Sequence, residues 1–284
     1  MKKKNVKYLV ILVTLISFVL ISAITEAGGL ESKKTPKKVE KKAEQKEPLF
    51  TFIGRELVIG VEDTYMAERN FEHSRFSEGD IQFESRQHLA TLSYEFIDGQ
   101  TIKGKLGTAK IKNTAWGYGW HDYELAWGFG GEWDVVKCIN RYFPKIQAAL
   151  PYEIDMIFSG QYFAIGSDKE SSSGGRSLKE AWREWDISIT FSKSLNAFTP
   201  YIGTRLSWAE VKTKLDQNIS GVENFDGSLK SPDHVGAFIG TDIDFSKCGN
   251  LGKIPLVKDL STHFEVSAFD KAAFTGGLKY TYRF

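Results

Sequence analysis

The acid–base residues of this 284-residue chain do not form any of the common catalytic motifs. No nucleophile elbow, P-loop, CxxC or HExxH string occurs in it. One group with chemical potential is in "THFEVSAF", where His263, Glu265 and Ser267 alternate and so share one face of an extended strand. His121 and Asp122 are adjacent, so on a strand they point to opposite faces and cannot act together without a bulge.

A second group of acidic residues lies in "TDIDF". Asp242 and Asp244 share one face of an extended segment and could bind a cation or influence ion selectivity. The favoured interpretation is that they pair with Lys279 and Arg283 near the same end of the fold. We therefore predict no metal, no cofactor and no catalytic residues.

These residues belong to segments with a two-residue period that continue from Leu49 to the C-terminus. In "VGAFIGTDIDF", apolar side chains from Val235 to Phe245 alternate with glycines and aspartates. We predict an all-β fold of about ten strands, with eight or twelve as alternatives. The predicted segments are 54–65, 86–97, 101–112, 121–137, 148–166, 180–193, 197–212, 233–246, 260–269 and 273–284.

The connections between these segments differ in length in a regular way. Those at 98–100 and 194–196 are tight turns, whereas 66–85, 167–179 and 213–232 are long and polar. The long ones are odd-numbered along the chain and the tight ones are even-numbered. An antiparallel up-and-down transmembrane β-barrel has this asymmetry, with long loops at one end and short turns at the other.

The face opposite the apolar one is too charged for a soluble core, although a soluble periplasmic β-sandwich is the alternative fold. In a membrane barrel this face lines the lumen, where opposite charges pair and water solvates the rest. Most tryptophans lie near strand ends, which is typical of an aromatic girdle. The predicted lumen charge network consists of Glu124, Glu153, Asp155, Glu184, Asp186, Arg205, Asp242, Asp244, His263, Glu265, Lys279 and Arg283.

The N-terminal part of the chain predicts export. Four lysines, an apolar run from Tyr8 to Ile24 and small residues up to Ala27 have the order of a signal peptide, with an uncleaved anchor as the alternative. We assign 1–27 to this peptide, 28–48 to a charged periplasmic linker and 49–284 to the barrel. The Lys/Glu-rich linker is either simply solvated or contacts an anionic surface such as the cell wall.

The C-terminal sequence "GGLKYTYRF" resembles the β-signal of bacterial outer-membrane proteins, with Gly277, Tyr280, Tyr282 and Phe284 at the matching places. This resemblance covers about residues 49–284 and points to the small OmpA-like or porin-like barrels. It implies an outer-membrane location, with membrane lipid and the barrel-assembly machinery as partners of a monomer. The formal net charge of +1 predicts no attraction to nucleic acid.

Two families of outer-membrane enzymes offer weaker resemblances. Omptin proteases use acidic pairs and an Asp/His couple at the outer rim of the barrel, and His121 and Asp122 lie near such a rim. Lipid A deacylases use a His-x-Ser-Asn string, but Glu265 stands two residues after His263 where that serine should be. We therefore predict a structural or surface-interaction barrel with a largely filled lumen. A narrow pore for ions or small polar solutes is the alternative, and an enzyme is the second alternative.

The two cysteines, Cys138 and Cys248, fall in the fourth and eighth connections, which both belong to the short-turn end. The periplasm is oxidising, so a disulfide between them is chemically allowed. Sequence leaves open whether the two thiols are close enough to form it.

Overall fold

The computed structural model describes most of the predicted barrel domain. Its strands and helices lie within residues 56–72, 81–114, 119–142, 154–166, 171–173, 176–217, 225–250, 252, 254–255 and 257–283. The predicted signal peptide and linker, together with Trp116, Glu153 and Phe284, lie outside these residues.

Twelve strands and two short helices make up the described chain. They are β1 Glu56–Phe71, β2 Ile81–Ile97, β3 Gln100–Asn113, β4 Glu124–Asp134, α1 Val135–Tyr142, β5 Asp155–Ile165, β6 Ser171–Ser173, β7 Arg176–Ser192, β8 Phe198–Gln217, β9 Phe225–Lys230, β10 Val235–Asp244, a 3-10 helix Phe245–Lys247, β11 Leu260–Ala268 and β12 Ala272–Arg283.

Ten of these strands form a closed antiparallel barrel. Each pairs with its neighbours in the order β7-β5-β4-β3-β2-β1-β12-β11-β10-β8, and the pairing of β7 with β8 closes the ring. The first and last strands meet with Leu57 opposite Tyr282 and Val61 opposite Leu278. The predicted all-β barrel of ten strands is therefore confirmed. Strands β6 and β9 extend the sheet beside β7 and β8.

Several strands run further than the sequence predicts, into segments assigned to the long loops. Strand β1 continues to Phe71 and β2 begins at Ile81, both inside the predicted loop 66–85. These two residues are paired and buried, so the sheet continues past the predicted strand ends. Strand β9 lies in the predicted loop 213–232. The strand predicted at 121–137 is shorter in the structure, because α1 begins at Val135.

The outer face of the barrel is a belt of exposed apolar side chains. Val61, Ala90, Leu106 and Trp127 stand side by side on β1 to β4 in one row of the register. Val61 and Leu106 are 58% and 59% exposed, which water would penalise and hydrocarbon favours. This belt excludes the soluble sandwich, whose apolar faces would be buried against each other.

The tryptophans do not all belong to this outer face. Trp133, Trp185 and Trp208 point outwards and are exposed, as a girdle requires. Trp182 is only 1% exposed and points inwards on the same face of β7 as Glu184. The placement of tryptophans near strand ends predicts a girdle, and Trp182 lies at such an end but does not belong to the girdle. Position along a strand gives the height of a residue but not the side of the barrel wall to which it points.

The tight connections lie at the same end of the barrel as the start of β1 and the end of β12. Short turns are typical of the periplasmic end, so we assign this end to the periplasm. Here α1 packs near the β2–β3 turn, where Gly99 adopts a φ of +80°. Asp134 caps the helix by accepting from Lys137 N at 2.9 Å. Burial alone would lower the pKa of Lys137, but the carboxylates of Glu95 and Asp134 raise it.

No helix in the described part of the chain is long and apolar enough to span a membrane.

Candidate functional site: the barrel lumen

The barrel encloses a cavity of about 360 Å³ whose wall carries many charged side chains. These side chains stand on the face opposite the apolar belt, because successive residues of a strand point to opposite sides. The acidic and basic residues that line the cavity, with its one lining histidine, are Glu62, Lys103, Lys105, Glu132, Glu184, Asp186, Arg205, Asp242, His263, Glu265, Lys271 and Lys279.

Ion pairs across the wall neutralise much of this charge. Lys105 Nζ on β3 donates to Glu62 Oε1 on β1 at 2.8 Å, reaching over β2. Lys279 Nζ on β12 donates to Asp242 Oδ1 on β10 at 3.1 Å, reaching over β11. Lys103 donates to Glu132 on the adjacent strand β4. The first two pairs join non-adjacent strands, so they brace the barrel as well as fill it.

Most of the residues predicted for the lumen network come together in this cavity. Glu184, Asp186, Arg205, Asp242, His263, Glu265 and Lys279 line it. Glu124 is buried near the long-loop end, and Asp155 begins β5 at the periplasmic end. Glu153 lies outside the described residues.

Two residues predicted for this network lie instead at the periplasmic rim. Asp244 Oδ1 accepts from Ser246 N at 2.9 Å and caps the 3-10 helix. Arg283 Nε donates to Glu56 Oε1 at 2.8 Å, with its side chain 62% exposed. Both share the correct face of their strands, but each stands at a strand end, where the side chain leaves the cavity.

The histidine at the centre of the deacylase resemblance is part of the lumen wall. The His263 ring lies against Gly277, where an added Cβ would be 2.3 Å from the ring carbon Cε1. His263 Nε2 is 3.9 Å from Glu62 Oε2. Ser267 Oγ donates to Glu265 Oε1 at 3.2 Å and not to the imidazole. The histidine and the serine therefore form no nucleophile–base couple here, and both face the lumen.

His121 and Asp122, the residues of the omptin resemblance, point in different directions. His121 is buried, with its Nε2 3.3 Å from Glu180 Oε2, whereas Asp122 is exposed. This matches the expectation that adjacent residues on an extended segment face opposite sides.

Towards the long-loop end, the interior holds a cluster of buried apolar side chains beside the buried pair of His121 and Glu180. Phe71, Phe83, Leu178, Trp182 and Val211 are each at most 1% exposed. The rings of Phe71 and Phe83 are 5.0 Å apart, and Phe71 is 5.1 Å from Trp182, both in edge contact. We call these five residues the apolar plug. It fills the bore beyond the charged cavity.

A buried ion cluster lies directly beneath the apolar plug. Glu184 Oε1 accepts from Arg69 Nη1 and from Lys271 Nζ, each at 2.6 Å. Arg205 Nε donates to Asp270 Oδ2 at 2.9 Å. The members of the buried ion cluster are nearly excluded from solvent. Their pairing with each other offsets the free-energy cost of burying their charges.

Sequence reasoning missed the plug and three members of this cluster, Arg69, Asp270 and Lys271. They fall at the edges of the predicted strands or in the predicted connections. A register shift in β1 near Met66 to Arg69 also changes the alternation that would have placed Arg69 inwards. The signal that could have found the plug is the set of apolar residues at inward positions 178 and 182 of β7 and 211 of β8.

Among the described residues, Glu184, Asp186 and Asp270 place carboxylate oxygens within 4.8 Å of one another. Arg69, Arg205 and Lys271 already bind Glu184 and Asp270 in the same space. A divalent cation would face three positive side chains there, so these carboxylates do not form a fitting metal site.

The two cysteines both lie at the periplasmic end, Cys138 in α1 and Cys248 after the 3-10 helix. No disulfide joins Cys138 to Cys248 in the structure.

A closed ten-stranded barrel, an outward apolar belt and a charged lumen together define a class. The protein is a β-barrel of the bacterial outer membrane.

Comparison with known proteins adds no family to this class. No family model matches the chain, and no curated protein matches it. Solved structures similar to it include the outer-membrane protease OmpT from Escherichia coli, at 11% identity and TM-score 0.42, covering 84% of this chain and 99% of that one.

Two autotransporter domains are also similar. The NalP translocator from Neisseria meningitidis is 11% identical with TM-score 0.39, covering 82% of this chain and 89% of its own. The AIDA-I transport unit from Escherichia coli is 13% identical with TM-score 0.35, covering 86% and 93%. At these scores the similarities carry no argument about function.

Proposed function

We propose that this protein is a closed outer-membrane barrel that acts through its extracellular end as a structural or surface-interaction protein, in the manner of the small OmpA-like barrels. The apolar plug is the observation that carries this proposal. Ions and polar solutes cross a barrel through a hydrated bore, and five buried apolar side chains oppose hydration.

The alternative of a narrow pore is less favoured by the same interior. The charged cavity would suit ions, but its cations are bound to carboxylates in the pairs of Lys105 with Glu62 and Lys279 with Asp242. The apolar plug and the buried ion cluster would both have to open before anything could pass.

We also propose that the barrel is not an enzyme. Support comes from the lumen-facing position of His263 and Ser267, which keeps them away from lipid substrates, and from the engagement of Ser267 with Glu265. The pairing of His121 with Glu180 likewise leaves no Asp/His couple at positions 121 and 122.

The proposed partners are inferred from the C-terminal pattern and from the charged segment 28–48. The C-terminal pattern of Gly277, Tyr280, Tyr282 and Phe284 supports recognition by the barrel-assembly machinery. The charged segment 28–48 is proposed as a periplasmic tether that can contact the cell wall.

Planar-bilayer recording of the refolded protein tests the proposal. A closed barrel should insert without discrete current steps, and a known porin recorded in the same bilayers provides the positive control. Reproducible single-channel steps from the purified protein would overturn the closed-barrel proposal in favour of the pore.

A further inference from the structure

Two cations stand on the lipid-facing wall of the barrel without acidic partners. Arg86 on β2 and Lys110 on β3 are directly opposite each other in the register, and Tyr65 on β1 is opposite Arg86. Neither cation makes an ion pair with any described residue, whereas nearby Lys112 Nζ binds Glu84 Oε1 at 2.9 Å. Like charges placed directly opposite on a sheet destabilise it, so this arrangement costs stability unless an anion offsets it.

Aromatic rings hold these two cations in place. The Arg86 guanidinium carbon lies 4.9 Å from the centroid of the Trp120 ring and 5.4 Å from that of Tyr65. Lys110 Nζ lies 4.8 Å from the Tyr123 ring and 5.2 Å from Trp120. We call these five residues the basic–aromatic patch.

The height of the patch matches the headgroup level of the outer leaflet. Val61, Ala90 and Leu106 are paired across β1 to β3 and face the hydrocarbon. Tyr65, Arg86 and Lys110 are paired in the same way four residues further along these strands, towards the long-loop end. Tyrosine and tryptophan favour this interface, and basic side chains there attract anionic headgroups. In the intervening row, the carboxylate of Asp63 makes a 2.5 Å hydrogen bond with His88 Nδ1 and forms no ion pair with Arg86 or Lys110.

We propose that the basic–aromatic patch binds the phosphate groups of anionic lipid in the outer leaflet. Arg86 and Lys110 supply adjacent cations that one phosphate can bridge. The aromatic rings keep both side chains against the wall, and the acyl chains of the same lipid lie along the apolar belt below.

Native mass spectrometry of the purified protein in neutral detergent tests this proposal, with diphosphorylated lipid A and its dephosphorylated form as probes. The wild-type protein should bind the phosphorylated form more tightly. Two cations near an anionic group each contribute about a factor of five, so Arg86→Gln/Lys110→Gln should reduce that preference roughly 25-fold. Equal binding of both lipid forms by the wild type would overturn the proposal.

A matched control removes the same charge elsewhere on the outer wall. Arg183 on β7 and Lys212 on β8 are exposed and contact no aromatic ring among the described residues. Arg183→Gln/Lys212→Gln should retain the preference, and an equal loss in both double variants would reduce the effect to bulk charge and contradict a site.

Two further arms complete the test. Arg86→Lys/Lys110→Arg keeps both charges and should keep most of the binding. This result would also show that the patch tolerates substitution. Loss of binding by this correctly folded variant would contradict the charge-based site.

Inorganic phosphate should not displace bound lipid A, because the acyl chains add contacts with the apolar belt. Displacement by inorganic phosphate would overturn the assignment to lipid.

Discussion

At the scale of single residues, one glycine decides how the lumen wall packs. Gly277 faces the cavity directly opposite His263 on β11, and its missing side chain leaves room for the imidazole. A Cβ at this position would also lie 2.5 Å from Val61 O on β1. The glycine therefore has a steric role in addition to its place in the C-terminal pattern.

Replacing this glycine tests the steric role. Gly277→Ala should destabilise the barrel by about 1–3 kcal/mol, because the extra methyl overpacks against the ring and the β1 carbonyl. The measurement is the urea midpoint of the barrel refolded in lipid vesicles. Gly276→Ala is the matched control, since its Cβ would meet ring atoms of Phe264 at an ordinary 3.5 Å.

A second substitution separates the steric role of Gly277 from its place in the C-terminal assembly pattern. Gly277→Ala combined with His263→Ala should recover part of the lost stability, because the ring is then absent. If the double variant were as unstable as the sum of the two single variants, the contact with His263 would not be the cause.

The buried ion cluster gives a second prediction at this scale. Glu184→Gln would leave Arg69 and Lys271 buried without their shared carboxylate, so the free energy of unfolding should fall by about 3–5 kcal/mol. Glu68→Gln is the control, since Glu68 is exposed and, among the described residues, accepts from Gln82 alone. Similar midpoints for the two variants in the urea assay would argue against a structural role for the cluster.

At the scale of elements, the extended ends of β1, β2, β7 and β8 build the apolar plug. These strand ends carry Phe71, Phe83, Trp182 and Val211 inwards at the end of the barrel that bears the long loops. The interior of the barrel therefore has two parts, a charged cavity and a buried, largely apolar seal.

Truncating the plug should open a path for solutes. Trp182→Ala combined with Phe83→Ala removes two large rings 6.1 Å apart, and we expect liposomes carrying this variant to swell in a small sugar where wild-type liposomes do not. Trp185→Ala is the control, because this tryptophan is 54% exposed on the outer wall. Unchanged permeability of a correctly folded double variant would contradict the seal.

The last strand gives the second prediction at this scale. Strand β12 closes the barrel against β1, with Tyr280 opposite Ile59 and Tyr282 opposite Leu57. A short peptide added after Phe284 should lower the yield of heat-modifiable barrel in the outer membrane, because it displaces the terminal assembly pattern. The same peptide inserted between the exposed residues Gly249 and Asn250 should have a smaller effect. Equal yields from the two extended chains would count against the assembly signal.

At the scale of the whole molecule, the strands could be predicted because two-residue alternation is a local property of the sequence. The alternation from Val235 to Asp244 fixes both the strand and its lumen face. The plug could not be predicted this way, because it depends on which strand ends meet across the bore. The positions of Asp244 and Arg283 at the rim could not be predicted either. Alternation gives the face of the strand to which each belongs, but not its height in the barrel.

Side-specific labelling tests the central claim most directly, namely that residues 56–283 form an outer-membrane barrel with the long loops outside. The two variants are Thr114→Cys in a Cys138→Ser/Cys248→Ser background, and Cys138→Ser with Cys248 retained. A bulky membrane-impermeant maleimide added to intact cells should label residue 114, and should label Cys248 only after the outer membrane is permeabilised. Labelling of Cys248 but not of residue 114 in intact cells would contradict the account.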